Sequence, residues 1–134
     1  MRRYMADTCG DIDATFDIGG GEHALRQAIE RIQQEAEDAV RGGCSHLVLS
    51  DKAVGPERAA IPTILACGAV HTHLVRQSLR TFTSLNVRTG VCLDVHNFAV
   101  LIGVGATTVN AYLAQESIAD RHRRGLLVPL TLDQ

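Results

Sequence analysis

The chain has 134 residues, 46% of them apolar and 21% charged, with a net charge of −2. That is one domain's length, able to bury roughly two thirds of the unfolded chain's surface, and too apolar for a disordered chain. With no basic footprint, no Trp, two Tyr and three Phe, it lacks the charge and the stacking rings of a nucleic-acid binder.

Ile12 to Phe16 alternates apolar and polar residues and predicts a short strand, ended by Asp17 and the glycines Gly19, Gly20 and Gly21. A helix follows, with Leu25, Ile29, Ile32, Ala36 and Ala39 or Val40 on one face and Arg26, Glu30, Arg31, Gln34, Glu37 and Asp38 on the other. Glu22 suits its N-terminal dipole, and Gly42-Gly43 stops it. His46 to Ser50 (HLVLS) has the pattern of a parallel strand covered on both faces. Pro62 opens the next helix, Thr63 to about Leu79, which is apolar nearly all round and is expected to be largely buried. Thr81 to Val87 predicts a strand and Thr89-Gly90 a turn.

Asp94 to Glu116 is the stretch around which the rest is organised. An apolar helical run (Phe98 to Ile102) meets Gly103 and Gly105, then a β-branched segment (Thr107, Thr108, Val109), then a helix start at Asn110. The last helix runs from Tyr112 to about Arg124, with Gly125 as its stop. The run is broken well short of the roughly 18 apolar residues of a membrane span. Gly103-Val104-Gly105-Ala106 follows a helix and precedes a strand, the reverse of a phosphate-cradling loop.

The order β-α-β-α-β-α-β-α predicts a single α/β domain over residues 1–134, with alternating βα units on a small parallel sheet resembling half of a TIM-like barrel. Such a half exposes its edges and, by expectation, one apolar sheet face, which makes self-association a possible outcome. Pro129 to Gln134 ends where a Thr or Asp cap would open another helix, so the chain is expected to be a piece of something larger. Cys9, Cys44, Cys67 and Cys92 contain no C-x-x-C, and the N-terminus has basic residues without an apolar run after them. No zinc or iron–sulfur spacing and no signal peptide are indicated, and a reduced, cytoplasmic setting is expected.

Ligands of parallel α/β folds sit at the C-terminal strand ends, so Asp51, Lys52, Arg88 and Asn110 are the candidate ligand-binding residues. Asp51 and Lys52 can orient a carboxylate or phosphate, or neutralise each other in solvent. His71 and His73 form H-x-H, but residues two apart on a helix point about 200° from each other and cannot share an ion. His71 and His96 are therefore read as structural polar residues, and neither a metal site nor a catalytic residue is assigned. A hydrolase built on His96 would need a spatial triad that the sequence does not display.

HLVLSDK (His46 to Lys52), ACGAVHTHLVRQSLR (Ala66 to Arg80) and VHNFAVLIGVGATTVNAYLAQES (Val95 to Ser117) strongly resemble the later part of the central domain of the glutamate synthase large subunit. The resemblance covers residues 11–127. It departs at Asn97, where the family usually has a second histidine, at Val104 (an aromatic), at Ala111 (a proline) and at Lys52 (an arginine). Members of that family convert glutamine and 2-oxoglutarate into two glutamates. An amidotransferase domain releases ammonia, which passes inside the protein to a domain holding FMN and an iron–sulfur cluster. The central domain joins the two and carries no catalytic residue.

The resemblance implies a non-catalytic scaffold that links those domains and helps wall the ammonia route. It implies no cofactor in this chain, which alone is expected to be inactive, and as partners the remaining domains of a large subunit. No nucleic acid and no membrane are expected as partners. The alternative is a stand-alone small-molecule binding module, or an oligomeric relic of the domain, using the strand ends.

Overall fold

The computed structural model describes residues 9–21 and 23–127. Glu22 and Pro129 to Gln134, both singled out above, lie outside them. Six strands and four α-helices are described: β1 (Cys9–Asp13), β2 (Thr15–Asp17), α1 (Ala24–Arg41), β3 (His46–Ser50), β4 (Arg58–Ala60), α2 (Thr63–Arg76), β5 (Ser84–Arg88), α3 (Val95–Gly103), β6 (Thr108–Asn110) and α4 (Tyr112–Arg123). β1, β3, β5 and β6 form a parallel sheet in that order, and β2 and β4 form a small antiparallel ribbon. The predicted βα alternation and small parallel sheet are therefore present, as an open sheet and not a closed barrel.

The sheet has two unlike faces because side chains alternate along each strand. Ile12, Leu47, Leu49, Leu85 and Val87 lie on one face, in register across the strands, and are buried. Each such side chain contributes roughly 1.5–3 kcal/mol by leaving water. Against them pack α1, through Ala28, Ile32 and Ala36, and α2, through Ala66, Cys67, Val70 and Leu74. The buried positions of α1 (Ala24, Ala28, Ile32, Ala36 and Val40) recur every four residues, and the three alanines among them let its backbone come close.

The opposite face carries Asp11, Asp13, His46, Ser50, Ser84, Asn86, Arg88, Thr108 and Asn110, with Val48 the apolar exception. This corrects the expected apolar open face: the register puts every Leu of β3 and β5 on the helix side. Asn86 is satisfied there, donating to Leu47 O and Ser84 Oγ and accepting from Thr108 Oγ1.

Three predicted elements are shaped differently. The strand expected over Ile12 to Phe16 is divided at Ala14 into β1 and β2, in different sheets. The Asp13 carboxylate accepts from the Thr15 N–H (3.0 Å) and hydroxyl (2.7 Å), which turns the backbone out of the first sheet. The strand expected from Thr81 begins at Ser84, because Arg80–Phe82 form a 3-10 turn. Arg80 holds that turn by donating to Thr83 O at 2.7 Å. Helix α2 ends at Arg76, and only one face of it is buried: Ile64, Leu65 and Val75 are exposed.

Candidate functional site

The C-terminal strand ends gather the polar residues singled out in the sequence. Asp51, directly after β3, is buried, at 5% exposure. Its carboxylate accepts from the Thr89 hydroxyl (2.6 Å) and from the Gly90 N–H (2.9 Å and 3.2 Å), so both oxygens are engaged by the loop after β5. Thr89 is fully buried, shares a hydrogen bond with the Thr63 hydroxyl at the start of α2 (3.0 Å) and accepts from the Val91 N–H. Tyr112, the first residue of α4, completes the group: burial, and then its hydrogen bond with Asp51, push its phenol above the ordinary value. Asp51 thereby ties together β3, the loop after β5, and the start of α4.

Lys52 is exposed, with its Nζ over the Tyr112 ring, 4.9 Å from the centroid. Asp51 and Lys52 are thus neighbours with separate partners. Arg88 and Asn110 stand side by side in register on the open polar face, Arg88 half-buried and Asn110 exposed. Their backbones join the same end of the sheet, Arg88 O accepting from Asp51 N and Asn110 O from Thr89 N. Of the four candidates, Asp51 faces inward, Lys52 lies on Tyr112, and Arg88 and Asn110 face outward together.

A second polar group surrounds the end of β1. The Arg58 guanidinium pairs with Asp13 at 2.7 Å and donates to the Thr15 hydroxyl at 2.9 Å, while Arg31 donates to the carbonyls of Asp13 and Thr15. Sequence reasoning missed this group, and Thr63, Thr89 and Tyr112 as well. Their partners lie tens of residues away and leave no local pattern.

The two histidines of H-x-H diverge. His71 Nδ1 accepts from Arg80 Nε at 3.1 Å, and His73 Nε2 meets Glu37 Oε2 at 2.7 Å across the α1–α2 contact. His96 is exposed in the first turn of α3. Among the described residues, no three His, Cys, Asp or Glu side chains converge as metal ligands. A metal takes the thiolate form of cysteine, and at two buried thiols here that form is disfavoured. Burial pushes Cys67 up to about 11, and burial and then the nearby Asp94 carboxylate raise Cys92.

The sequence profile of the glutamate synthase central domain matches residues 2–133. This chain belongs to that family. It is 69% identical over 134 residues to the NADPH glutamate synthase large chain of Azospirillum brasilense, which covers 100% of this chain and 9% of the relative. It is 47% identical over 105 residues to the chloroplast ferredoxin-dependent glutamate synthase of Spinacia oleracea (76% of this chain, 6% of the relative). To the NADH glutamate synthase of Schizosaccharomyces pombe it is 41% identical over 128 residues (96% and 6%). The chain therefore spans less than a tenth of each of these relatives, and what it matches is their central domain. Among the described residues, no helix is long and apolar enough to cross a membrane.

Proposed function

We propose that this chain acts as a scaffold segment of a glutamate synthase, the enzyme that turns glutamine and 2-oxoglutarate into two L-glutamates. In this reading it links the amidotransferase and FMN-binding domains and helps wall the route of ammonia between them, in a reduced, cytoplasmic setting. In this reading FMN and the iron–sulfur cluster belong to the complete enzyme and are held by its other domains. The observation that carries the reading is the direction of the polar groups at the strand ends. Asp51 spends both carboxylate oxygens on Thr89 and Gly90 and also meets Tyr112, so this buried acid is committed to fixing loops.

Two further observations support it. Val95, Phe98 and Ile102 form an exposed apolar stripe along α3, which suits contact with other domains. Both edges of the parallel sheet, β1 and β6, pair on one side only among the described residues, and unpaired edges are normally continued or covered.

The test is an Asp51→Asn substitution in a glutamate synthase large chain carrying this segment. The expected result is a lower Tm and weaker coupling of glutamine hydrolysis to glutamate formation, with flavin content and glutaminase turnover retained. Loss of glutaminase turnover at unchanged thermal stability would overturn the reading.

A further inference from the structure

The half-buried arginines show an unequal distribution of partners. Among the described residues these are Arg31, Arg58, Arg80 and Arg88. Arg31 donates to two carbonyls and to Glu35, Arg58 to Asp13 and Thr15, and Arg80 to His71, Thr83 O and Gly105 O. The Arg88 guanidinium has no hydrogen bond or ion pair with any described residue; only the Arg88 backbone is engaged, its carbonyl accepting from Asp51 N. A guanidinium always carries its charge and presents five donors in a planar fork. Losing part of its water without a partner costs free energy, and the group that best matches the fork is a carboxylate, held by two parallel bonds.

The surroundings of Arg88 say where that carboxylate must come from. In its row across the sheet stand Asp13, Ser50 and Asn110, about 5 Å apart from strand to strand. Ser50 and Asn110 are neutral. Asp13 lies two strands away and is already taken by Arg58. The helices α1 and α2 cover only the other face, so whatever meets Arg88 approaches from the open polar side.

We propose that this open face is covered by another stretch of the same large polypeptide, and that a carboxylate on that stretch pairs with Arg88. Charge complementarity sets the chemistry of the occupant: Arg88 calls for an acid, and Asp11, exposed on the same face without a described partner, tolerates a base. The source follows from the sheet, whose unpaired edges let further strands continue it and curl over this face. The relatives supply ample chain for this, since the present sequence covers 9% of the most fully matched one described above. The inference rests on the scaffold reading, but it concerns a packed interface and not turnover.

The experiment is arginine labelling with phenylglyoxal on a glutamate synthase large chain carrying this segment, in buffer free of phosphate and carboxylates, with peptide mapping. The expected result is that Arg88 reacts roughly tenfold more slowly than the exposed Arg76 and Arg121, as suits a bidentate ion pair. Equal reactivity overturns the proposal. Protection that arises only when phosphate or a dicarboxylate is added also overturns it, since the occupant is then a free anion. As a second readout, Arg88→Glu should lower the Tm of the large chain and Arg88→Lys should lower it less; no change in either variant counts against the interface. Because labelling does not depend on coupling, this proposal can fail while the Asp51→Asn result stands, and the converse.

Discussion

Gly105 stands two residues past the end of α3 at φ +114, a region that L side chains rarely adopt, and a Cβ there would run into the His71 imidazole. The missing side chain lets the loop after α3 close over α2, with Arg80 donating to Gly105 O at 2.8 Å and to His71 at 3.1 Å. Gly105→Ala therefore meets backbone strain and a clash together and should cost roughly 2–4 kcal/mol. Gly103→Ala is the control. It is the last residue of α3, an added Cβ meets nothing within 4 Å, and helix propensity favours alanine by up to about 1 kcal/mol. Urea unfolding of both variants makes the comparison, and equal stabilities would mean that His71 gives way easily.

At the scale of elements, all four described α-helices end alike. The N–H two residues past each C-cap bonds to the carbonyl five residues back: Cys44 to Ala39, Leu79 to Leu74, Ala106 to Leu101 and Leu126 to Arg121. The residue between has positive φ in each case, and it is Gly43, Gly105 and Gly125 at three ends but Ser78 (φ +59) after α2. The glycine stops were legible in the sequence, whereas nothing in serine announces a left-handed residue, so α2 was expected to run on to Leu79. Ser78→Gly should remove the strain and raise stability by roughly 0.5–1 kcal/mol, read as a higher Tm.

The α1–α2 contact has an electrostatic clamp. Glu37 lies below the ordinary 4.5 because Arg41, then His73, donate to its carboxylate. A carboxyl with a depressed folded pKa contributes stability above its unfolded pKa and loses it as the pH falls through the folded value. Glu37→Gln should therefore lower the Tm near neutrality, and its gap from the parent should close as the pH drops below about 4.5. A gap of the same size at acid pH would mean that packing, not charge, carries the contact.

Across the whole molecule, what was legible in the sequence was what local pattern determines. HLVLS reads as a covered strand because both β-branched and Leu side chains pack there, and it is β3 from His46 to Ser50. The destination of Asp51 was not legible, because Thr89 lies 38 residues away and only the register of β3 with β5 brings them together. The same register decides which sheet face is apolar, so the polar open face could not be read from β3 alone.

That layered arrangement also grades stability. β3 and β5 are paired on both sides and covered by α1 and α2, whereas α4 has no buried residue among those described and docks through its first turn, by Tyr112 on Asp51. The ion pairs of Asp120 with Arg123 and Arg124 are exposed, and pairs of that kind contribute roughly 0–1 kcal/mol. Local opening is easiest where few apolar groups are buried. Hydrogen exchange on the chain should thus find Leu47, Leu49, Leu85 and Val87 amides slowest and the last turns of α4 fastest, with Asp51→Asn speeding exchange at Gln115 to Ile118, the first bonded amides of α4, before it affects β3. If α4 exchanged as slowly as β3 in the parent, the Asp51–Tyr112 link would be too small an anchor to explain it, and α4 would have to be packed along its length.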